Sequence, residues 1–427
     1  MGTTSICNAD AVALYFRAMR VLICNSFFYR RGGAETYAFA LAELLRSHGH
    51  EVLFFAMQHP ENLQSDQQQF FVDYIDYPTI NSNKTLSNSL TVLRRSIWYS
   101  EARRRISRLI EAERPDIVHL QNIHAHITPS IIPEIRRSGI PIVWTLHDFK
   151  LICPENSFYS IDRICEECRG GRFYRCAVNR CKKKSLGAST MAALEAYTHT
   201  ALNVCRHVDR FISPSIFLKE KFEEFGWTQS RIEFVRNFLP DLGEPHLGGR
   251  GYGVFTGMLR EVKGLATLLD ALKKAGDPRF YIAGDGSMRD LLNQQAKTLG
   301  LRNLEFLGHL DKTRLSKLVK DAEYAVVPSE WFENCPYAVL ELMAAGKPVI
   351  VSNHGGLTEL IEHQRTGLLF EPKNSDQLAE AIRTLVDDPE MGRRLGSAAR
   401  QTAEKEFGPE RHYESVRRIY DDVLSSE

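Results

Sequence analysis

Residues Pro328–Glu359 read P-S-E-W-F-E-N-C-P-Y-A-V-L-E-L-M-A-A-G-K-P-V-I-V-S-N-H-G-G-L-T-E. The stretch opens where a short apolar run, Tyr324–Val327, meets Pro328, and that β-rich run predicts a buried strand. A loop carrying Glu333 and Asn334 follows. The next segment predicts a helix, with Pro336 at its first turn and Gly346 just past its last, the usual start and stop signals. A second strand, Pro348–Ser352, comes at once and ends in Gly355-Gly356. Strand, loop, helix, strand and Gly turn make the βαβ unit of an open parallel sheet, whose ligands sit at the carboxyl ends of the strands. Glu333 and Glu341 stand eight residues apart across the loop and the helix start. The first backbone N–H groups of the helix favour an anion in the same crevice. A phosphate held at a helix end, with carboxylates placed for hydroxyl groups, suits a nucleotide-sugar.

E-x7-E, then A-x-G-x-P-V-I, then G-G-x-x-E resembles the donor-site signature of the family-4 retaining glycosyltransferases, which have the GT-B fold. Spacing, the G-K-P-V-I strand and the Gly pair agree together, which is far more specific than a lone Gly-rich loop. The resemblance implies an α/β chain of two doubly wound Rossmann-like domains facing a central cleft, with a C-terminal helix crossing back to the first domain. It implies transfer of a hexose, with retention, from a nucleotide-diphosphate sugar to a glycan or lipid-linked acceptor in cell-envelope or exopolysaccharide synthesis. It calls for no catalytic cofactor. A non-catalytic protein that binds sugar-nucleotides or polysaccharides remains the alternative.

The 427 residues allow about two to three domains of ordinary size. Hydrophobic residues make up 43% and charged residues 25%, the composition of a globular chain. A formal net charge of +1 gives no basic field for nucleic acid, which is not expected as a partner. No apolar run approaches the roughly 18–20 residues of a membrane span, so the expected location is cytoplasmic. Residues 1–18 read as a disordered leader, or Met19 as the true start. The alternating pattern then divides into a first domain over 19–236, a Pro- and Gly-rich linker over 237–251, a second domain over 252–407 and the crossing helix over 408–427.

In the first domain Val21–Phe27 predicts a strand that runs into Gly32-Gly33-Ala34-Glu35 and an amphipathic helix to His48. A Gly pair there lets backbone approach a ligand closely, and the resemblance places Gly32 and Gly33 at the donor diphosphate. The polar segment 58–90 reads as a long loop on the acceptor side. The predicted helix from about Leu90 to Glu113 carries Arg94, Arg95, Arg103, Arg104, Arg105 and Arg108. It reads either as a peripheral contact with the inner membrane face or as a solvated outer face. His147 and Asp148 follow the strand Pro141–Leu146. In the resembling family a T-x-H position meets the acceptor hydroxyl, which makes His147 the acceptor-side polar group and Asp148 its supporting neighbour.

Residues 150–185 form a Cys-rich insert. Cys165, Cys168, Cys176 and Cys181 follow Cys153 with the spacing C-x2-C-x7-C-x4-C. In a cytosolic chain such spacing reads as a structural zinc site or as a reduced, metal-free loop.

In the second domain the strand Gly253–Thr256 leads to Met258, Arg260, Lys263 and Gly264. The resembling family has G-R-L-x-x-x-K-G here, with Arg and Lys clamping the diphosphate. Lys263 matches, Met258 stands at the Arg position, and Arg260 lies two residues on. Gly284 marks a strand-to-helix turn by the same crevice. His309 and Leu310 match a segment whose backbone reads the base. The resemblance gives Glu333 to the hexose, Glu341 to the ribose and Asn334 to the donor loop, with His147, Glu333 and Lys263 as the catalytic set.

Overall fold

The structure is a computed structural model, and it describes residues 18–74, 95, 97–124, 126–227 and 231–426. The expected leader, apart from Ala18, lies outside the described residues, as do residues 75–94 of the polar loop and predicted helix.

The first part of the chain gives β1 (Arg20–Cys24), α1 (Gly33–Ser47), β2 (Glu51–Phe55), α2 (Ser100–Glu113), β3 (Ile117–Leu120), α3 (Ile132–Arg137) and β4 (Ile142–Thr145). A short hairpin, β5 (Tyr159–Ser160) and β6 (Arg163–Ile164), opens the insert, which continues in α4 (Tyr174–Val178) and α5 (Leu186–Ala201). Then come β7 (Arg210–Ser213), α6 (Ile216–Glu224) and β8 (Ile232–Phe234). The remainder gives β9 (Gly253–Thr256), α7 (Leu265–Lys274), β10 (Phe280–Ala283), α8 (Arg289–Leu299), β11 (Leu304–Gly308), α9 (Lys312–Asp321) and β12 (Tyr324–Val327). It ends with α10 (Tyr337–Ala344), β13 (Val349–Ser352), α11 (Leu357–Leu360), β14 (Gly367–Phe370), α12 (Ser375–Asp387), α13 (Pro389–Glu406) and α14 (Pro409–Leu424).

Two six-stranded sheets result, ordered β2-β1-β3-β4-β7-β8 and β11-β10-β9-β12-β13-β14. Their registered pairs are parallel. Short continuous apolar runs make these strands because a parallel sheet is covered on both faces. In β12 the pleat alternates: Val326 packs with Leu268, Leu269 and Leu272 of α7, while Ala325 and Val327 pack with Val339, Leu340 and Met343 of α10. Each fully buried aliphatic side chain of this kind contributes about 1.5–3 kcal/mol.

The chain divides into two compact units. One holds the residues up to Trp144, with Val204–Asp209 and Tyr420 onward; the other holds Thr145–Asn203 and Arg210–Ile419. In the first, the Tyr420 hydroxyl of the last helix lies 2.6 Å from His119 Nδ1 on β3. In the second, the ammonium of fully buried Lys347 donates to the carbonyls of His246, Gly248, Lys320 and Ala322 at 2.6–2.9 Å. Four acceptors replace the water this charge lost on burial.

Several boundaries move from the sequence expectations. In the Arg-rich stretch Arg95 and Ile97 are helical, and α2 begins at Ser100 after a break at Trp98 and Tyr99; after the insert α5 ends at Ala201 and a short 3₁₀ turn follows at Val204–His207. The segment 186–196 buries mainly small residues, Ser189, Ala192 and Ala193, and leaves Leu186 and Leu194 exposed, so no buried apolar period announces it. On α2, Arg103 pairs with Glu134, and Arg105 pairs with Glu101 and Asp73, the arrangement of a solvated outer face. Among the described residues, no helix is long and apolar enough to cross a membrane.

Candidate active site

The second sheet reverses its winding between β9 and β12. From β9 the chain adds β10 and β11 on one side, then returns to add β12, β13 and β14 on the other. Open α/β sheets bind ligands outside the carboxyl ends of the strands at such a reversal. The loops after β9 and β12 are therefore the place to look.

The loop after β9 ends in a 3₁₀ turn, Glu261–Lys263, closed by Gly264 at φ +68°. A Cβ on Gly264 would stand 1.8 Å from the Pro328 carbonyl oxygen, so only glycine lets the two loops touch. The Glu330 amide donates to the Val262 carbonyl at 2.8 Å, and the Thr267 hydroxyl to Glu330 Oε1 at 2.8 Å. This seat brings Lys263 Nζ to 2.5 Å from Glu333 Oε1. The same oxygen accepts from Ser329 Oγ at 2.7 Å and from Trp331 Nε1 at 2.8 Å. Burial pushes the Glu333 carboxyl upward, but the Lys263 charge and the hydrogen bonds outweigh it and hold the group below its ordinary value.

Arg260 and Lys263 flank one ring, with Arg260 Cζ 5.9 Å and Lys263 Nζ 5.3 Å from the Trp331 centroid. Arg260 is exposed and Met258 is 53% exposed. A second cation thus stands beside Lys263, two residues after the position where the family pattern puts it.

The Gly355-Gly356 pair has a specific task. The Gly356 amide donates to the Glu333 carbonyl at 2.8 Å, and a Cβ there would lie 1.7 Å from the Asn334 carbonyl oxygen. Behind it, His354 Nε2 donates to the Ser329 carbonyl at 2.7 Å, and burial lowers the pKa of its imidazole. Glu359, last residue of the G-G-x-x-E pattern, accepts from the Ile216 and Phe217 amides at the start of α6.

Asn334 turns toward the loop after β4. Its Nδ2 donates to the Leu146 and His147 carbonyls at 3.3 and 3.5 Å, and its Oδ1 accepts from Ser215 Oγ. The loops of His147 and Glu333 are joined by this amide. Asp148 accepts from the Lys150 amide at 2.9 Å and from Asn156 Nδ2 at 3.4 Å. Burial raises its carboxyl, opposed by those bonds and by the charges of Lys150 and His147.

Glu341 lies on the solvent-exposed side of α10, yet enough protein surrounds its carboxyl for desolvation to raise it, with Lys312 opposing. Gly284 and Gly286 pack against the β9 loop: Cβ atoms there would meet the Gly257 and Leu259 carbonyl oxygens at 1.8 and 2.4 Å. His309 is exposed and Leu310 half-buried. Gly32 and Gly33, in the other unit, form the start of α1, where Gly32 is the N-cap and its carbonyl accepts from the Thr36 amide and hydroxyl.

The structural-zinc expectation gains no support. Among the described residues, no group of three or more His, Cys, Asp or Glu is arranged to hold a metal ion. Cys168 and Cys176 instead pack with Phe173, Ala192 and Ala193, and Cys181 lies against them. Cys168, Cys176 and Cys181 act there as small apolar packing groups.

Three residues of this arrangement had no place in the sequence reading: Ser329, Trp331 and His354. The signal available was their position, immediately before Glu333 and immediately before the Gly pair.

The family profile for glycosyl transferases group 1 matches residues 245–402, and that for Glycosyltransferase Family 4 matches residues 31–240. The glycogen synthase of Mycobacterium tuberculosis is 33% identical over 213 residues, 47% of this chain and 51% of that protein. The chain spans about half the length of the first curated relatives it matches. Spore coat protein SA of Bacillus subtilis is 26% identical over 92% of this chain and 95% of its own length. N-acetyl-alpha-D-glucosaminyl L-malate synthase of Bacillus anthracis is 23% identical over 92% and 94%. Among solved structures, sucrose-phosphate synthase from Thermosynechococcus elongatus superposes with a TM-score of 0.69 at 17% identity over 96% of this chain and all of that one. Anabaena HepE in complex with UDP and glucose does so with a TM-score of 0.64 at 19% identity, over 96% of this chain and all of that one. The two parallel α/β sheets, the loops joined across the strand reversal and both profile matches agree, and the chain belongs to the GT-B glycosyltransferases of the group 1 and family 4 type.

Proposed function

We propose that the protein transfers a hexose from a nucleotide-diphosphate sugar to a glycan or lipid-linked acceptor, with retention, in the synthesis of a cell-envelope or exported polysaccharide. The observation that carries the reading is the Lys263–Glu333 contact at 2.5 Å across the strand reversal, with Arg260 beside it. Two cations at this point suit a diphosphate, and paired charges that stabilise a leaving phosphate contribute several kcal/mol to such chemistry. Glu333, held ionised by Lys263, Ser329 and Trp331, accepts hydrogen bonds from hydroxyls of the sugar. Glu341 serves the ribose hydroxyls. His147, whose main chain is tied to Asn334, meets the acceptor hydroxyl, and Asp148 steadies its loop. Gly32 and Gly33 lend main-chain amides to the phosphates, while Gly284, His309 and Leu310 belong to the base side. Retention follows most simply if the leaving phosphate takes the acceptor proton. The protein acts peripherally at a membrane if its acceptor is lipid-linked.

UDP-sugars are the first donors to test, since the Anabaena neighbour holds UDP and glucose. A thermal-shift screen across nucleotide-sugars should raise Tm for one donor class, because a ligand of the folded state stabilises with its occupancy. Donor hydrolysis and transfer should then be read with that class. Lys263→Ala and Glu333→Ala each losing transfer is the expected result; both retaining it would overturn the assignment.

A further inference from the structure

We propose that the α4–α5 hairpin of the Cys-rich insert is a docking surface for an anionic lipid bilayer. The proposal rests on residues remote in sequence from the donor loops and is tested without transfer activity, so either reading can fail alone.

Apolar exposure is concentrated there. Among the described residues, seven of the fourteen exposed large apolar side chains lie between Ile161 and Leu202. Tyr174 (48% exposed) and Val178 (63%) stand one turn apart on α4. Leu186 (55%), Leu194 (47%) and Tyr197 (39%) are exposed along α5, beside its buried Ser189, Ala192 and Ala193. The Tyr174 amide donates to the Tyr197 hydroxyl at 3.2 Å, so the two helices adjoin there. Cys168, Phe173 and Cys176 fill the space beneath them with Ala192 and Ala193, which gives the cysteines a use: they let two short helices close into one platform.

Charge is concentrated there too. Residues 168–194 contain seven Lys and Arg and no Asp or Glu, in a chain of net charge +1. Arg180, Lys183 and Lys184 are exposed on the turn between the helices, all three in the left-handed backbone region. Aliphatic and Tyr side chains rimmed by cations are the signature of an interfacial helix. Each Lys or Arg near an anionic leaflet strengthens binding. A protein partner of equal fit would need a matching acidic face; a single-stranded nucleic acid would find two exposed tyrosines and otherwise aliphatic groups, not a stacking platform.

The test is sedimentation of the full chain with vesicles of phosphatidylcholine containing 30% phosphatidylglycerol, against phosphatidylcholine alone. Binding is expected to the anionic vesicles only and to weaken at raised salt. Two variants, Lys182→Glu/Lys183→Glu/Lys184→Glu and Tyr174→Ser/Val178→Ser, should each weaken it at least tenfold, with melting curves and donor-stimulated thermal shift unchanged as the check on folding. Equal sedimentation with both vesicle types, or wild-type binding by both variants, overturns the proposal. So does light scattering that shows the apolar variant dissociating a dimer, because the face would then belong to a second copy.

Discussion

Replacing Lys263 with Met keeps the volume of the side chain and removes its charge from 2.5 Å beside Glu333. The carboxylate keeps Ser329 Oγ and Trp331 Nε1 as donors. Stranding one member of a buried pair costs about 3–5 kcal/mol. Here the side chains are 19% and 9% exposed and two hydrogen bonds remain, which brings the expected loss to about 2–3 kcal/mol. The pH dependence is the sharper reading. In the wild type the Glu333 carboxyl is lowered, so its contribution is present above the unfolded value near 4.5 and is lost as the pH falls through the folded value. Without Lys263, burial dominates and the carboxyl rises above its unfolded value. Its neutral form then stabilises the fold, and stability falls as the pH climbs above about 4.5. Denaturant unfolding should therefore show wild-type stability level above about pH 4.5 and falling below it, and variant stability falling as the pH climbs above about 4.5, with the gap largest at pH 7. Transfer should fall by about 10²–10³-fold in kcat/KM if the same ammonium meets a developing phosphate charge. Lys263→Met/Glu333→Gln should recover most of the stability and none of the activity. Equal slopes, or a loss below about 0.5 kcal/mol at pH 7, would show that the ion pair does not carry the loop.

Further outcomes follow from other contacts. Gly264→Ala places a methyl group 1.8 Å from the Pro328 carbonyl at φ +68°, so a loss of about 2 kcal/mol or more is expected in unfolding, with donor binding lost alongside. Arg260→Ala touches an exposed residue: stability should hold within about 0.5 kcal/mol while kcat/KM drops about tenfold to a hundredfold, a split that separates phosphate contact from packing. Asn334→Ala frees the His147 carbonyl; it should cost about 1 kcal/mol in unfolding and change the acceptor KM more than the donor KM. Lys347→Met leaves four buried carbonyls without their donor, and thermal unfolding should reveal a loss of about 3 kcal/mol or more.

Much of this was written in the order of residues. Tyr324–Val327, the Pro336–Gly346 bracket and Val349–Ser352 were legible because a strand buried on both faces is an unbroken apolar run and a helix carries its stop signals on the chain. The strand Gly367–Phe370 was not, since four residues opened by glycine resemble a turn. The helix from Leu186 was hidden for the opposite reason: its apolar residues face outward. Glu333 and Lys263 were found by pattern, but their direct contact depends on Gly264 meeting Pro328, and no spacing rule reports a distance between loops. The zinc reading gains no support for a related reason. Spacing of thiols along the insert constrains which could meet, while the small apolar core beneath α4 and α5 decides how they do.

The glycines at 264, 284 and 356 leave the loops after β9, β10 and β13 resting on the backbone of their neighbours, with no side chain between them to yield. Such loops cannot be exchanged singly. A graft from a relative that altered one would need its neighbours to come with it, whereas Met258 and His309 are exposed positions outside these backbone contacts.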